Sequence, residues 1–437
     1  MGVKLTERLK VKNFLLIKKA DLKVASVNII VGPQASGKSV LSKLLFFSRD
    51  FLANQLIKSI EENASRQKLR DIALDKFIEY FPKYTWENQA FEIKYKNDDI
   101  SFFVKNEKTA KNKCKLSFVL SDTLKSFHLE KKNQYKAFQK KMALKRINDR
   151  SSGLYFNQEF WDFSREYIRT DPLVKSKLGN SYFIPASRSF FANVQKSLFS
   201  FMSSNANLDP FFKEFGQLYD NAKGIYGEDI YLTGDAEKLQ ELREVKEIAH
   251  SLINRILHGD YKRTKDKDWI ESDGKRISIT DASSGQQEAL PMFVLLSVFP
   301  FFWQENTNSI FFIEEPEAHL FPSAQKTVAQ LIVLLHSINS NSFVLTTHSP
   351  YIITALNNMI LASEIRQSKK SKRLKKKFNK RFDLRFSDVQ AYTMSNGTLK
   401  SVLDQENKLI GPEIIDQVST EFEDEYSELL DILFSPE

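Results

Sequence analysis

Eight residues near the N-terminus have the types and spacing of a phosphate-binding loop. The run GPQASGKS fits the pattern G-x-x-x-x-G-K-[ST] completely, with the apolar run VNIIV before it and a helical pattern after it. In such a loop the backbone N–H groups and the helix N-terminus face phosphates, the lysine reaches the outer phosphate oxygens, and the final hydroxyl binds Mg²⁺. The candidate phosphate-binding residues are Gly32, Pro33, Gln34, Ala35, Ser36, Gly37, Lys38 and Ser39.

Two adjacent carboxylates end a second apolar run, IFFIEE. In an enzyme with a phosphate-binding loop, Glu314 would hold Mg²⁺ directly or through water, and Glu315 would orient and polarise the attacking water. For such a run by itself a solvated acidic strand end is the alternative, but the upstream loop favours the catalytic interpretation. We therefore predict Ser39 and Glu314 as metal ligands and Glu315 as the catalytic carboxylate.

Two further segments carry little information one at a time. SSGQQE, which begins at Ser283, is a small-residue turn that opens a helix; it could present N–H groups and a hydroxyl to a phosphate, or simply cap that helix. FVLTTHSP ends an apolar strand in His348, and a lone histidine at a strand end is more often structural than catalytic. The order of the two segments along the chain, after the phosphate-binding loop and around the carboxylates, is more informative about function than either sequence by itself.

The composition bounds the class of protein. A chain of 437 residues, 42% hydrophobic, suggests two to three lobes with buried cores and excludes a wholly disordered chain. The single cysteine, Cys114, excludes an intramolecular disulfide and any multi-cysteine metal site, and it suits a reducing cytosol. No signal-peptide pattern opens the chain, and the longest apolar stretch, Ala289–Trp303, is too short to span a bilayer. We expect a soluble, cytoplasmic protein.

The net charge of +9 is concentrated in two segments. Lys369–Arg381 holds nine basic residues and no acidic one, and Lys105–Arg150 holds fourteen basic and four acidic residues. Ser401–Glu437 opposes them with eleven acidic residues and one lysine. A solvated loop is the simplest interpretation of the first segment; contact of either segment with nucleic acid or an acidic partner is the alternative.

Hydrophobic patterning predicts an α/β fold. In the second half of the chain helices and strands alternate, which indicates a parallel sheet with crossover helices. A helical stripe is formed by Leu242, Val245, Ala249, Leu252 and Ile256, and we expect it to pack on a lobe rather than form a coiled-coil arm. The other main expectations are three strands in Arg8–Val31, helices at Val40–Phe51, Leu52–Tyr80 and Lys125–Arg150, a hairpin at Phe91–Val104 with a four-residue turn, and strands at Lys115–Asp122 and Ser181–Pro185.

The order of these motifs resembles that of the ABC-type ATPases of the SMC/RecF and overcoming-lysogenisation-defect group. LKVKNFLLIKKADLKVASVNIIVGPQASGKS is similar to the opening of that group, FFIEEPEAHLFP and VLTTHSPYIITALNN to its second half, and AYTMSNGTLKSVLD to its end. The similar parts cover about half of the chain; residues 52–180 and 190–265 match nothing specific. The resemblance implies an ABC-type P-loop ATPase head with a mixed or parallel sheet, an antiparallel β subdomain and an inserted helical lobe.

The resemblance also implies a role for each matching residue. Lys38 binds the phosphates of ATP and Ser39 binds Mg²⁺. Glu315 is the catalytic carboxylate, and His348 is the switch histidine that contacts the γ-phosphate. The signature of such ATPases, which covers the nucleotide bound to the opposite subunit, corresponds to Ser283, Ser284, Gly285 and Gln286. This implies a homodimer with ATP sandwiched between two subunits, and it leaves open whether such dimers assemble further.

Two departures from the group's pattern stand out. Glu314 occupies a position where aspartate is usual, which lengthens the Mg²⁺-binding arm without removing it. The glutamine loop is not obvious; FIPASR, with Arg188 near the nucleotide, occupies a plausible place, and Gln158 is the rival. We include Arg188 among the predicted nucleotide-binding residues.

These assignments divide the chain into four segments. Residues 1–51 form the first part of the ATPase head, 52–265 an inserted β-hairpin and helical lobe, 266–362 the second part of the head, and 363–437 a basic loop, a terminal hairpin and an acidic tail. Because no strand-borne D-x-D appears after residue 362, we expect no TOPRIM nuclease domain in this chain.

Members without a nuclease domain recur as ATPase subunits of anti-phage systems such as PARIS and Septu. The first hypothesis is therefore an ATP-hydrolysing sensor that regulates a separate effector, such as a TOPRIM or HNH nuclease. The second is a RecF- or SMC-like DNA-repair ATPase that clamps DNA. The third, a transporter's nucleotide-binding subunit, is disfavoured because the insertion is far larger than transport requires; we expect no membrane partner.

Overall fold

The computed structural model describes residues 6–108, 114–148, 156–175, 177, 179–193, 208–229, 232, 234–264, 267–302, 309–374, 378–411 and 426–427. Its strands are β1 Glu7–Phe14, β2 Ile17–Lys23, β3 Val27–Val31, β4 Phe91–Asn97, β5 Ile100–Lys108, β6 Cys114–Leu120, β7 Ser181–Ile184, β8 Asp260–Arg263, β9 Asp268–Ser272, β10 Lys275–Ser278, β11 Ile310–Glu314, β12 Ser342–Thr347, β13 Val389–Ser395, β14 Thr398–Ser401, β15 Leu403–Asp404 and β16 Leu409–Ile410.

The α-helices of the described residues are α1 Lys38–Asp50, α2 Leu56–Glu61, α3 Arg66–Tyr80, α4 Asp122–Asn148, α5 Phe156–Phe163, α6 Ser189–Asn193, α7 Pro210–Ile225, α8 Ala236–Leu257, α9 Ser284–Leu296, α10 Pro322–His336 and α11 Pro350–Gln367. One π-helical segment, Phe51–Gln55, joins α1 to α2. No helix of this described part is long and apolar enough to cross a membrane.

Eleven strands form one sheet in the order β6-β5-β4-β1-β2-β14-β13-β3-β12-β11-β7. The strands from β13 to β7 run parallel, and those from β6 to β2 pair antiparallel. The predicted mixed α/β sheet with an antiparallel subdomain is therefore confirmed. All four segments proposed from the sequence contribute strands to this sheet, since β4 to β7 come from 52–265 and β13 and β14 from 363–437.

The central strands have hydrophobic residues on both faces because helices cover both sides of the sheet. Every residue of β3, β11 and β12 is buried. Helix α1 packs its leucines against one face, and α9, α10 and α11 contribute to the cluster on the other. At about 1.5–3 kcal/mol for each large apolar side chain removed from water, these two layers supply the main stabilisation of the sheet.

The strand register brings three predicted motifs to one edge of the sheet. In the parallel ladder, Val31 of β3 pairs with Thr347 of β12, and Glu314 of β11 pairs with Thr346. The segments that leave these carboxyl ends therefore emerge side by side: the phosphate-binding loop, the second carboxylate and His348. Crossover helices α10 and α11 follow β11 and β12, as the alternation in the sequence predicted.

Two local predictions were wrong. The expected helix Leu52–Tyr80 is interrupted because Asn63 adopts a left-handed conformation (φ 52°) and the Ser65 side chain caps α3 by accepting from Lys68 N. The hairpin of β4 and β5 turns through two residues, 98 and 99, rather than four. The helix ends earlier than its hydrophobic spacing predicts, whereas β4 continues through the polar residues Lys96 and Asn97, which had been assigned to the turn.

The amphipathic stripe on α8 was predicted correctly. Its five apolar residues are all buried in the core that α8 shares with α10 and α9. The packed-helix interpretation is therefore confirmed. The predicted long basic helix is α4, and the predicted third strand beside the hairpin is β6, which pairs antiparallel with β5.

A buried histidine on α4 gives the fold a specific acid sensitivity. His128 is 1% exposed, and its Nε2 has no hydrogen-bond partner within the described residues. Burial, with Lys132 and Arg66 adding repulsion, lowers the pKa of His128 to about 4. The unfolded chain, where a histidine has a pKa of about 6.5, binds the proton more readily, so the free energy of unfolding falls as pH drops from about 6.5 to 4.

We predict that His128→Leu removes this sensitivity. Between pH 7 and pH 4.5 the free energy of unfolding should fall by about 2 kcal/mol more in the wild type than in the variant. Urea unfolding at both pH values measures the difference. An equal decrease in the two proteins would contradict the buried, neutral state of this side chain.

Candidate active site

Two glycines allow the phosphate-binding loop to pass from β3 into α1. Gly32 (φ 153°) lies against β13, and a Cβ there would be 2.3 Å from the carbonyl oxygen of Met394. Gly37 (φ 103°) directly precedes α1, and a Cβ there would meet the Ile17 side chain at 3.2 Å. Since L-residues with side chains are strained at these φ values, both positions favour glycine. The loop is therefore shaped by contacts with β13 and the β1–β2 turn.

Lys38 folds back over the loop it ends. Its Nζ donates to the carbonyl oxygens of Gly32 (2.8 Å) and Pro33 (2.7 Å), and the residue is 6% exposed. Burial lowers the pKa of Lys38, an effect that three nearby carboxylates, led by Glu315 and Glu317, oppose. A buried ammonium group in the mouth of the loop is suited to neutralise phosphate charge.

Glu314 and Ser39 lie close enough to share a metal ion. Glu314 is the last residue of β11 and is buried; burial raises the pKa of its carboxyl group, while a hydrogen bond from Ser39 lowers it. Its Oε1 is buried without a hydrogen-bond partner in the described part of the chain, and its Oε2 accepts from Ala186 N at 3.4 Å. An orphaned carboxylate oxygen beside a hydroxyl fits the all-oxygen coordination of Mg²⁺.

No group of three or more histidine, cysteine, aspartate or glutamate side chains that could hold a metal ion occurs within the described ranges. Mg²⁺ fits a two-ligand site because it usually keeps several waters and takes further oxygens from substrate phosphates. The predicted ligands Ser39 and Glu314 are compatible with that coordination.

Glu315 and His348 meet across the ends of β11 and β12. Glu315 adopts a left-handed conformation (φ 45°), and its N–H donates to the Thr346 carbonyl oxygen at 2.9 Å. Its Oε1 lies 3.2 Å from His348 Nε2, and both side chains are partly exposed. A non-glycine residue with positive φ costs about 1 kcal/mol or more, and such strain is common at functional sites. The arrangement presents a carboxylate and an imidazole together at the sheet edge.

Glu317 belongs to the site, although the sequence analysis did not select it. Its Oε1 accepts from the Thr347 hydroxyl and from His348 N, each at 2.7 Å, while Oε2 is buried without a partner in the described chain. Glu317 therefore fixes the backbone that carries His348. The available signal was a third acid two residues after Glu315, within EEPEAH.

Arg188 lies beneath the acidic strand end. Its guanidinium group is fully buried and donates to the backbone oxygens of Glu314 (2.7 Å, from Nη1) and Glu315 (3.0 Å, from Nη2). Nε donates to the Glu288 carbonyl oxygen at 3.1 Å, and Nη2 lies 3.3 Å from the Glu288 carboxylate. Burial lowers the pKa of Arg188, and these acids oppose that effect. The contacts favour a role in positioning Glu314 and Glu315 over direct contact with nucleotide.

The rival glutamine-loop residue, Gln158, lies in α5. Its side chain lies outside what the structure describes, and Gln158 remains the alternative to Arg188.

The predicted signature segment opens α9. The Ser283 hydroxyl and the Gln286 side chain cap the helix reciprocally, and Gln286 Nε2 also donates to the Leu257 carbonyl oxygen at 2.7 Å. At Gly285 a Cβ would be 2.7 Å from the His319 carbonyl oxygen, so the loop after β11 packs directly on this helix end. Ser283 and Ser284 are exposed.

The described hydrogen bonds of Ser283 to Gln286 stay within α9 and its neighbours, and none reaches the phosphate-binding loop. The structure thus brings together Lys38, Ser39, Glu314, Glu315 and His348, with Glu317 added to them. Among the described residues of this one chain, no hydrogen bond joins the signature segment to that group.

A phosphate-binding loop, an acidic strand end and a histidine from the intervening strand define a P-loop ATPase of mixed α/β fold. Residues 6–353 match the AAA ATPase domain family. The chain belongs to that family. The match spans both parts of the site and the residues inserted between them.

Similar solved structures are heads of SMC proteins. The Smc head bound to the C-winged helix domain of ScpA is 14% identical, with a TM-score of 0.39 over 91% of this chain and 97% of that one. The SMC head domain from Thermotoga maritima is 12% identical, with a TM-score of 0.37 over 92% and 98% of the two chains. The Smc head domain with an extended coiled coil from Pyrococcus furiosus, bound to the C-terminal domain of ScpA, is 13% identical, with a TM-score of 0.34 over 96% and 99%. Among curated protein sequences no match was found.

We predict that Lys38→Ala weakens binding of Mg·ATP by more than about tenfold, because a charge-assisted contact to phosphate is lost. Isothermal titration calorimetry measures the affinity. The matched control is Lys68→Ala on the exposed side of α3, which should bind nucleotide like the wild type. Wild-type affinity in the Lys38 variant would exclude this loop as the phosphate site.

Proposed function

We propose that the protein is a cytoplasmic, Mg²⁺-dependent ATPase that acts as a homodimer and regulates a separate effector, such as a TOPRIM or HNH nuclease, in anti-phage defence. The observation that carries the dimer is the exposed Ser283–Ser284 turn, whose described hydrogen bonds do not reach the phosphate-binding loop of its own chain. A second copy would bring that turn to the nucleotide. The defence role and the effector rest on the family resemblance of the motifs.

In this proposal each residue of the site has a separate role in ATP hydrolysis. Ser39 and Glu314 would hold Mg²⁺, which would supply neutralisation of phosphate charge. Lys38 holds the outer phosphate oxygens, and Glu315 accepts the proton of the water that attacks the γ-phosphorus. His348 keeps the Glu315 carboxylate in place and reaches towards the γ-phosphate, while Glu317 and Arg188 hold the two loops that carry these groups.

Subunits can communicate through α9 in this proposal. Glu288 lies five residues after Ser283 on the same helix, and its carboxylate accepts from the backbone N–H groups of Arg188 and Ser189, each at 2.9 Å. Arg188 in turn donates hydrogen bonds to the backbone carbonyl oxygens of Glu314 and Glu315. A displacement at the γ-phosphate of one site would therefore be transmitted, through buried hydrogen bonds, to the helix end that covers the other site.

We predict that Glu315→Gln retains ATP binding, accumulates dimers and hydrolyses ATP at least about a hundredfold more slowly, because the general base is removed. Mass photometry with and without ATP measures the dimer, and phosphate release measures turnover. Ser283→Arg, which places a bulky cation on the exposed turn, should lower turnover without unfolding the monomer. An ATP-independent mass for Glu315→Gln, or wild-type turnover for Ser283→Arg, would refute the paired-site proposal.

The effector is tested separately. Co-expression with the product of the adjacent gene, followed by size-exclusion chromatography, should give a complex whose composition changes on ATP hydrolysis. Co-elution with a nuclease supports the regulatory role, whereas neighbouring replication genes and no effector complex favour the second candidate function.

The second candidate, a DNA-clamping ATPase, is favoured by one feature of the antiparallel strands. Their outward side chains align across β5, β4, β1 and β2 and form what we term the basic sheet face. Its three rows are Lys105–Glu92–Lys12–Lys19, Phe103–Lys94–Lys10–Asp21 and Ser101–Lys96–Arg8–Lys23.

Eight basic and two acidic side chains share this face. Glu92 pairs with Lys105 and Lys12, and Asp21 pairs with Arg8 and Lys10. The other four lysines, Lys19, Lys23, Lys94 and Lys96, have no acidic partner among the described residues. Successive rows lie about 7 Å apart, close to the phosphate spacing along a nucleic-acid strand. The face therefore suits a polyanion.

If DNA binds this face, Lys94→Glu combined with Lys96→Glu should weaken duplex binding about tenfold or more at 0.1 M salt and lower the salt dependence by about two counterions. Fluorescence anisotropy across a salt series measures both quantities, and DNA-stimulated turnover should disappear in parallel. The control is Lys68→Glu with Lys262→Glu, two exposed lysines off this face. If the wild type does not bind the duplex and its ATP turnover does not change with DNA, this candidate function is excluded and the first remains.

A further inference from the structure

Three buried polar side-chain atoms lie in the layer between α1 and the sheet without a hydrogen-bond partner among the described residues. They are Oε1 of Glu314, Oγ1 of Thr346 and Oγ of Ser42. Glu314 is 6% exposed, Thr346 1% and Ser42 0%. A buried polar group that lacks a partner is destabilising, so such atoms indicate where a water or a small polar ligand binds. Of the three residues, only Glu314 has a role in the site described above.

The strand register places Thr346 beside Glu314. The two residues are partners in the parallel ladder of β11 and β12. Residues two positions apart on a strand share a face, and Phe312 and Val344, which precede them by two, both belong to the core cluster that contains the leucines of α1. Because neighbouring strands lie about 4.8 Å apart, one water can bridge the Thr346 hydroxyl and the Glu314 carboxylate.

Helix α1 places Ser42 over the same part of the sheet. One turn before it, Ser39 donates a hydrogen bond to Glu314. One turn after it, the Phe46 ring packs against Phe312, with ring centroids 5.5 Å apart. Residues three or four positions apart share a helix face, so Ser39, Ser42 and Phe46 form one stripe along β11. Ser42 therefore lies between the levels of Phe312 and Glu314.

The chemistry of the three atoms suits a single water. A buried water typically makes about three hydrogen bonds. A carboxylate oxygen accepts one, and each hydroxyl can either donate or accept. The nearest neighbours along the chain and the ladder offer no alternative partner, since the side chains of Leu41 and Ile30 are apolar and buried.

We propose that Ser42 and Thr346 together bind a buried water that donates to Glu314 Oε1, and that they thereby hold the Glu314 carboxylate in place for Mg²⁺. The inference rests on the metal site of the proposed function and adds two positioning residues that the sequence analysis did not select. Neither hydroxyl touches metal or nucleotide. Partners that orient a ligating carboxylate typically change metal affinity about 10- to 100-fold when they are lost.

The experiment measures the dissociation constant of ATP for the full chain by isothermal titration calorimetry, with excess Mg²⁺ and again with EDTA. The ratio of the two constants is the Mg²⁺ enhancement of binding. In Thr346→Val, which keeps the shape and removes the hydroxyl, we expect this enhancement to fall about tenfold while the affinity in EDTA stays as in the wild type. Thr346→Ser, which returns the hydroxyl, should restore it.

Thr327→Val is the matched control. Thr327 is also a buried threonine, but its hydroxyl donates within α10, to Ser323 O at 3.2 Å. The substitution should leave the Mg²⁺ enhancement unchanged. An equal loss of affinity with Mg²⁺ and with EDTA in Thr346→Val would show a general structural defect and would overturn the inference.

A double-mutant cycle tests whether the two hydroxyls act through one water. Ser42→Ala should lower the Mg²⁺ enhancement as Thr346→Val does. The double variant should lose little more than either single variant, because each change removes the same bridge. Fully additive losses would mean that the two hydroxyls act separately and would overturn the shared water.

Thermal unfolding without nucleotide gives a readout that does not involve the metal. A hydroxyl that binds a water contributes stability, so Thr346→Val should lower the melting temperature. A higher melting temperature would mean that the hydroxyl is buried without a partner, which contradicts the inference.

Glu314→Ala separates this inference from the proposed function. If the Mg²⁺ enhancement is lost in Glu314→Ala but unchanged in Thr346→Val, only the inference is overturned. If the wild type shows no enhancement, the metal site of the proposed function is contradicted as well. Turnover is not part of the measurement, so a chain that binds Mg·ATP without hydrolysing it still gives a decisive result.

Discussion

The arrangement of the site depends on the buried guanidinium group of Arg188. It satisfies the carbonyl oxygens of Glu314 and Glu315 at the point where β11 ends and the backbone turns into a left-handed conformation. Its charge is balanced by Glu288 on α9. Removing one partner of a buried ion pair typically costs about 3–5 kcal/mol, because the remaining charge is left in a low-dielectric interior. One side chain therefore fixes the backbones of Glu314 and Glu315 and the helix α9 relative to one another.

Around that point the structure joins residues that are distant in the sequence. The phosphate-binding loop is shaped by Met394 of β13, the Glu315 carboxylate contacts His348 directly after β12, and Glu317 accepts a hydrogen bond from His348 N. The ladder of parallel strands makes this possible, since their carboxyl ends emerge at one edge. Glu314 Oε1 and Glu317 Oε2 are buried at this edge without a hydrogen-bond partner among the described residues, and they indicate where further ligands fit.

The sequence predicted the parts of the site that depend on contiguous residues. Glycine-rich loops and strand-end carboxylates combine local backbone geometry with residue type, so Lys38 and Glu314 were found directly. Glu317 was missed because its contacts lie across two strands. Arg188 was selected for contact with nucleotide, whereas its position beneath the strand end depends on packing that the sequence does not show. The basic sheet face was missed because charge was counted along segments, whereas its rows run across four strands; alternations such as LKVK and IKYK were the available signal.

The position of β13 has a consequence for how the protein is made. This strand lies between β3 and β14, and β14 pairs with β2, so residues 389–401 join the parallel and antiparallel halves of the sheet. A ribosome adding about 5–20 residues per second needs roughly 20–70 s to pass from β3 to β13. During most of that interval both edges of β3 are unpaired, because its other neighbour, β12, is also synthesised late, and the nascent chain lacks the backbone against which Gly32 packs. A complete nucleotide site can therefore form only late in synthesis, which makes folding of the head a long-range and correspondingly slow event.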